Sequence, residues 1–80
     1  MSSILKLYTG PHCHLCDQAK QVIYPVVQGT HWQLQEESIA GNAVLEEKYA
    51  LRIPVVVMSD GREKGWPFTS GQIKRLINDG

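Results

Sequence analysis

Cysteine is scarce in this chain: 80 residues contain two, Cys13 and Cys16. A secreted mini-protein of this size usually carries about four to eight as a staple framework, so a disulfide scaffold is excluded and the pair is left for chemistry. An excess of charge is also missing, with eight Lys+Arg against eight Asp+Glu. That balance removes the long-range field of a nucleic-acid or anionic-membrane binder. No run of about 18 apolar residues exists to cross a membrane, and Met1-Ser2-Ser3-Ile4-Leu5-Lys6 lacks the basic and apolar regions of a signal peptide. The expectation is a cytoplasmic protein with neither nucleic acid nor membrane as partner. Linkers, repeats and low-complexity segments are absent as well. The expectation is therefore one domain spanning residues 1–80, working as a monomer. What is present is an ordinary globular balance, 42% apolar and 20% charged. A chain this short buries only about 60–65% of its unfolded surface, so its secondary structure must pack tightly.

The short apolar run Ile4–Thr9, stopped by Gly10-Pro11, reads as a buried strand ending in a sharp turn. From Leu15 the apolar positions Ala19, Val22, Ile23, Val26 and Val27 fall on one helical face. Pro25 is expected to break or kink that helix, because proline lacks the N–H for one helix bond, and Gly29 marks its latest end. Residues His31–Glu36 alternate with period two, placing Trp32 and Leu34 on a buried strand face and His31 at the strand's end. Asn42–Tyr49 is helix-prone, with Leu45 and Tyr49 paired at i, i+4 and Glu46, Glu47 and Lys48 on a solvated face. Ile53–Met58 is a β-branched strand beginning at a proline, and Ser59-Asp60-Gly61 turns it into a returning strand, Arg62–Trp66. After Pro67, Thr69-Ser70-Gly71-Gln72 is a capping-box start for a last helix with Ile73, Leu76 and Ile77 on its apolar face. Trp66 and Phe68 are expected to fill the core beneath that helix. The order β-α-β-α-β-β-α predicts an α/β fold with parallel pairing and a final antiparallel hairpin.

The segment Gly10-Pro11-His12-Cys13-His14-Leu15-Cys16 lies between the first strand and the first helix. Only a thiolate attacks a disulfide, and a helix start supplies unpaired N–H groups and the positive end of the macrodipole to stabilise that anion. Cys13 is predicted at that place. Cys16, three residues on, shares its helix face, so the two sulfurs join with little backbone movement. So short a loop constrains the unfolded chain little, which favours reversible exchange over structural stapling. Protonated His12 or His14 would lower the pKa of Cys13, while the alternative for both is a solvated loop imidazole. Zinc ligation by His12, Cys13, His14 and Cys16 is a further alternative. Adjacent residues point apart and no second ligand pair follows, so no metal site is expected. Asp17 is read as a first-turn carboxylate favoured by the dipole, with proton relay near Cys16 as its functional alternative.

With Cys13-His14-Leu15-Cys16 after the first strand and Ile53-Pro54-Val55 at a later strand start, the chain resembles the thioredoxin superfamily, and within it the small bacterial glutaredoxin-like proteins. The resemblance covers nearly all 80 residues. It implies a thioredoxin-like fold with a central mixed four-stranded sheet flanked by helices. It also implies a cis Ile53–Pro54 peptide facing the dithiol, with the backbone of Ile53 docking the substrate. A cis bond before proline costs only about 0.5–1 kcal/mol, and an ordinary strand-start proline is the alternative at Pro54. Pro11, Ile53 and Pro54 are the expected substrate-contacting residues. The chain departs from common glutaredoxins in carrying His14-Leu15 where Pro-Tyr is usual, and it has no clear match to their glutathione-binding glycine pair. The implied activity is thiol–disulfide exchange with Cys13 as nucleophile and Cys16 as resolving thiol. No bound cofactor is expected. The substrate is a protein disulfide or a glutathione mixed disulfide, with glutathione as the optional cosubstrate, and an external donor returns the electrons. A binding or metal-handling module with a ligating or vestigial pair is the competing class.

Overall fold

The computed structural model describes residues 3–79. Met1 and Ser2, part of the segment read above for a signal peptide, lie outside them, as does Gly80. The elements are β1 (Ser3–Thr9), α1 (His14–Val27), β2 (Trp32–Ser38), α2 (Ala43–Tyr49), β3 (Val55–Met58), β4 (Glu63–Gly65) and α3 (Ser70–Asp79). The strands form one sheet in the order β2-β1-β3-β4, with β1 parallel to β2 and antiparallel to β3, and β4 antiparallel to β3. This is the thioredoxin-like arrangement of a mixed four-stranded sheet with three helices. No described helix is long and apolar enough to cross a membrane.

Strand side chains alternate between faces, so the register divides the core in two. Leu5 lies opposite Met58 and Leu7 opposite Val56. These four pack with Ala19, Ile23, Val26 and Val27 of α1 and Ile73 and Ile77 of α3. Burying a Leu, Ile or Val side chain contributes about 1.5–3 kcal/mol, which makes this face the main source of cohesion. Tyr8 lies opposite Val55 on the other face, where Ile39 and Tyr49 of α2 complete a smaller cluster. Trp66 and Phe68 meet edge to face, with ring centroids 5.0 Å apart, and join the larger cluster.

Local chemistry fixes the ends of the elements. Asn42 caps α2 by accepting the Leu45 N–H at 3.1 Å. The Thr69 hydroxyl accepts the Gln72 N–H at 3.2 Å while the Gln72 side chain accepts the Thr69 N–H at 2.9 Å, a reciprocal capping box. In the β3–β4 hairpin the Gly61 N–H bonds the Met58 carbonyl at 3.0 Å and Gly61 has φ +96°, a conformation that glycine adopts without a Cβ clash.

Four expectations change. α1 runs through Pro25 to Val27 instead of breaking there, and the Tyr24 carbonyl still accepts the Gln28 N–H at 3.0 Å. Pro25 falls in the last turn and removes only its own bond to Gln21; both residues are exposed, so water serves the freed carbonyl. β2 starts at Trp32 and ends at Ser38, leaving His31 outside it. β3 begins at Val55, not at Ile53, because the Ile53 N–H turns back to the Tyr49 carbonyl at 3.0 Å. β4 is trimmed to Glu63–Gly65. The Ile53–Pro54 and Trp66–Pro67 peptides are both cis.

Candidate active site

β1 ends at Thr9 and the chain turns through Pro11 and His12 before entering α1. His12 takes φ 56°, a left-handed conformation uncommon for a residue with a Cβ. That turn delivers Cys13 as the N-cap of α1, one residue before the first helical position, with extended backbone. Its sulfur accepts the Cys16 backbone N–H at 3.1 Å. A Ser or Asp oxygen usually fills this role; here sulfur does, placed against an unpaired helix N–H and the positive end of the dipole. The two cysteines form a disulfide with Cα atoms 5.2 Å apart. Their exposures differ: Cys13 is partly exposed and Cys16 is 3% exposed. Cys13 is thus the more accessible residue of the pair, and Cys16 is shielded from solvent.

A cavity of about 260 Å³ opens over the pair, lined among others by His12, His14, Asp17 and Lys20. Both predicted tuning histidines are therefore beside the disulfide, and both are exposed. Asp17 and Lys20 also border a larger open trough of about 710 Å³ between α1 and β2, beside Tyr24, Pro25 and Glu36. The larger hollow holds neither cysteine, so the smaller one is the chemical site. Lys20 links the two, its ammonium 3.3 Å from both Asp17 and Glu36. The Glu36 bond, then the Asp17 bond, holds the lysine above its ordinary pKa. Glu36 in turn is held below the usual carboxylate range, chiefly by the Tyr24 hydroxyl donating at 2.6 Å. Lys20 is absent from the sequence reading, although its i, i+4 spacing from Cys16 on one helix face is the signal that finds it.

Pro11, Ile53 and Pro54 do not line the dithiol cavity. Pro11 is exposed in the turn, and Pro54 is fully buried. Ile53 reaches the loop through Gly10, where a Cβ would lie 2.7 Å from the Ile53 Cδ1. Glycine at position 10 therefore lets the segment before Pro54 lie against the loop leading to Cys13. Trp66 N–H closes the other side, donating to the Pro54 carbonyl at 3.1 Å. Among the described residues no group of three or more His, Cys, Asp or Glu side chains is gathered to hold a metal ion.

The model of a family described as Glutaredoxin-like domain (DUF836) matches residues 4–78. The chain belongs to that family. Protein XcR50 from X. campestris, solved by X-ray diffraction, is similar at 34% identity, covering 95% of this chain and 97% of that one with TM-score 0.83. Protein Ne2328 from Nitrosomonas europaea shares the fold at 23% identity, 95% and 92% coverage and TM-score 0.78. A thioredoxin-2 described as a component of malaria parasite protein secretion machinery also shares it, at 16% identity, 99% and 84% coverage and TM-score 0.74. No curated protein matches the chain. Membership of the glutaredoxin-like family, together with the paired cysteines, supports a redox-type role.

Proposed function

We propose that this glutaredoxin-like protein is a thiol–disulfide oxidoreductase. The observation that carries the reading is the Cys13 sulfur itself, partly exposed, capping a helix and accepting the Cys16 N–H at 3.1 Å. In the reduced protein the same N–H and the helix dipole favour a thiolate there, lowering the pKa of Cys13. The Cys13 thiolate attacks one sulfur of a substrate disulfide, forming a Cys13–substrate bond and releasing the other substrate sulfur as a thiolate. Cys16 then loses its proton and attacks the Cys13 sulfur, which releases the second substrate thiolate and leaves the Cys13–Cys16 disulfide. An external dithiol, or two equivalents of a monothiol such as glutathione, returns two electrons and two protons.

His12 and His14 contribute positive charge beside the thiolate when protonated. The backbone of Ile53, next to the buried Pro54, docks the substrate chain, with Pro11, exposed in the turn before Cys13, as a further contact. The substrate is a protein disulfide or a glutathione mixed disulfide, handled by a monomer in the reducing cytoplasm.

Alkylation of the reduced protein against pH tests the reading. The expected result is Cys13 reacting with a midpoint below the ordinary thiol value of about 8.5. Cys16→Ser should trap mixed disulfides with Cys13, and Cys13→Ser few. An unshifted midpoint with equal trapping by both variants would refute the proposal, and stoichiometric zinc in the purified protein would favour a metal-handling module.

A further inference from the structure

Outside the dithiol cavity, a dense group of polar side chains gathers around Glu63 in the edge strand β4. One oxygen of its carboxylate accepts the Tyr49 hydroxyl at 2.6 Å, and the other accepts Arg52 Nη2 at 2.8 Å. The Lys48 ammonium stands 3.7 Å from the first of these oxygens. Lys48 and Arg52 also lie over the Tyr49 ring, 5.1 and 5.3 Å from its centroid, and that ring is stacked on Tyr8 at 4.8 Å. Two cations therefore share one aromatic ring, and Glu63 is the carboxylate that pairs with both.

The backbone of this group leads directly to Ile53 and Pro54. The Tyr49 carbonyl accepts the N–H of Arg52 at 2.8 Å and of Ile53 at 3.0 Å, and the Pro54 carbonyl accepts the N–H of Trp66, three residues after Glu63. Arg52 directly precedes Ile53 in the chain, and Glu63 ties the Tyr49 and Arg52 side chains to the strand whose continuation, at Trp66, bonds the Pro54 carbonyl. We propose that Glu63 is a positioning residue that, through Arg52 and Tyr49, sets the Ile53 backbone for docking a polypeptide disulfide. This rests on the oxidoreductase reading. Glu63 touches neither sulfur nor substrate, so its loss should weaken docking and leave the sulfur chemistry in place. Removing the negative charge, as in Glu63→Gln, replaces the charge-assisted bond from the partly buried Tyr49 hydroxyl by a weaker neutral one and leaves two like charges over one ring without a counter-charge.

The test measures reduction of a disulfide-linked peptide of about ten residues and of a small unactivated disulfide, bis(2-hydroxyethyl) disulfide, with dithiothreitol as electron donor and its protein-free rate subtracted. Glu63→Gln and Arg52→Met are compared with the native full-length chain. The expected result is a KM for the peptide raised about tenfold with kcat within about twofold, as loss of a charge-assisted bond at a docking element predicts. The ratio of peptide to small-disulfide efficiency should fall by the same factor, and Arg52→Lys should recover part of it. Arg52 is half-exposed, so its variants keep the test valid if Glu63→Gln folds poorly. A native chain active on both substrates, with an unmoved peptide KM in Arg52→Met or an equal loss on both, overturns this inference alone. A native chain that reduces neither disulfide overturns the oxidoreductase reading, and this inference with it.

Discussion

Among the described residues, eleven buried side chains from Leu5 to Ile77 meet on the face covered by α1 and α3, all of them apolar, whereas the face under α2 gathers four, Tyr8, Ile39, Tyr49 and Val55. The smaller cluster compensates with a polar fringe. The Tyr49 hydroxyl leaves it to meet Glu63, and through Glu63 reaches Arg52. Apolar packing is strong but non-directional, and hydrogen bonds are weaker but aimed. The first face therefore supplies most of the cohesion, and the second supplies orientation to the segment that ends in Pro54.

That contrast is most exposed to failure in the large cluster. Ile73 is fully buried there, and Ile73→Ala should cost about 2–5 kcal/mol in urea unfolding. An 80-residue domain holds only about 4–12 kcal/mol in total, so the variant should sit near its stability limit. A cost under about 1 kcal/mol would mean the cohesion lies elsewhere. Tyr49→Phe keeps the ring on Tyr8 and removes only the bond to Glu63. It should cost about 1–2 kcal/mol, with Tyr24→Phe, whose bond to Glu36 is exposed, costing less. Equal effects would erase the distinction between an anchored and a solvated phenol.

Acid sharpens the comparison further. Glu63 lies below the ordinary carboxylate range because Tyr49, then Arg52, donates to it, and Lys48 and Arg52 add favourable charge. A carboxylate with a depressed folded pKa binds its proton more readily in the unfolded chain. Its contribution is fully present above the unfolded value and is lost as pH falls through the folded one. Unfolding midpoints followed below about pH 5 should therefore decline less steeply in Glu63→Gln than in the native chain. Glu36 has the same direction from Tyr24 and Lys20, so part of the slope should survive. The smallest effect is expected at Gly10→Ala. Its new Cβ would press on the end of the flexible Ile53 side chain, so stability should change by less than about 1 kcal/mol. A larger loss would show the loop to be less adaptable than that contact implies.

Much of this architecture is legible in the residues. The short apolar run Ile4–Thr9 stopped by Gly10-Pro11, the helical spacing of Ala19, Ile23 and Val26, and the Thr69 and Gln72 cap are local patterns, and local patterns survive folding. The placement of Cys13 at a helix start follows from the same logic, although its role as the cap, through sulfur, needs the turn geometry at His12. The break expected at Pro25 does not occur, because the proline falls in the last turn and the bond it removes belongs to the exposed Gln21. The Glu63 group was not legible. Its partners lie 11 and 14 residues away, in the turn after α2 and at the end of α2, and a Glu in a short strand looks like any solvated charge until the fold joins them.

Capping by sulfur ties the chemistry of the dithiol to the geometry of the helix. Serine or aspartate in that position holds the first turn whatever else the protein is doing; under the proposed exchange reaction, Cys13 would change its covalent partner while holding the same amide. The Cys16 amide proton is thus placed as a built-in reporter, its resonance expected to shift wherever the proposed cycle carries the neighbouring sulfur from the internal bond to a thiolate or a mixed disulfide.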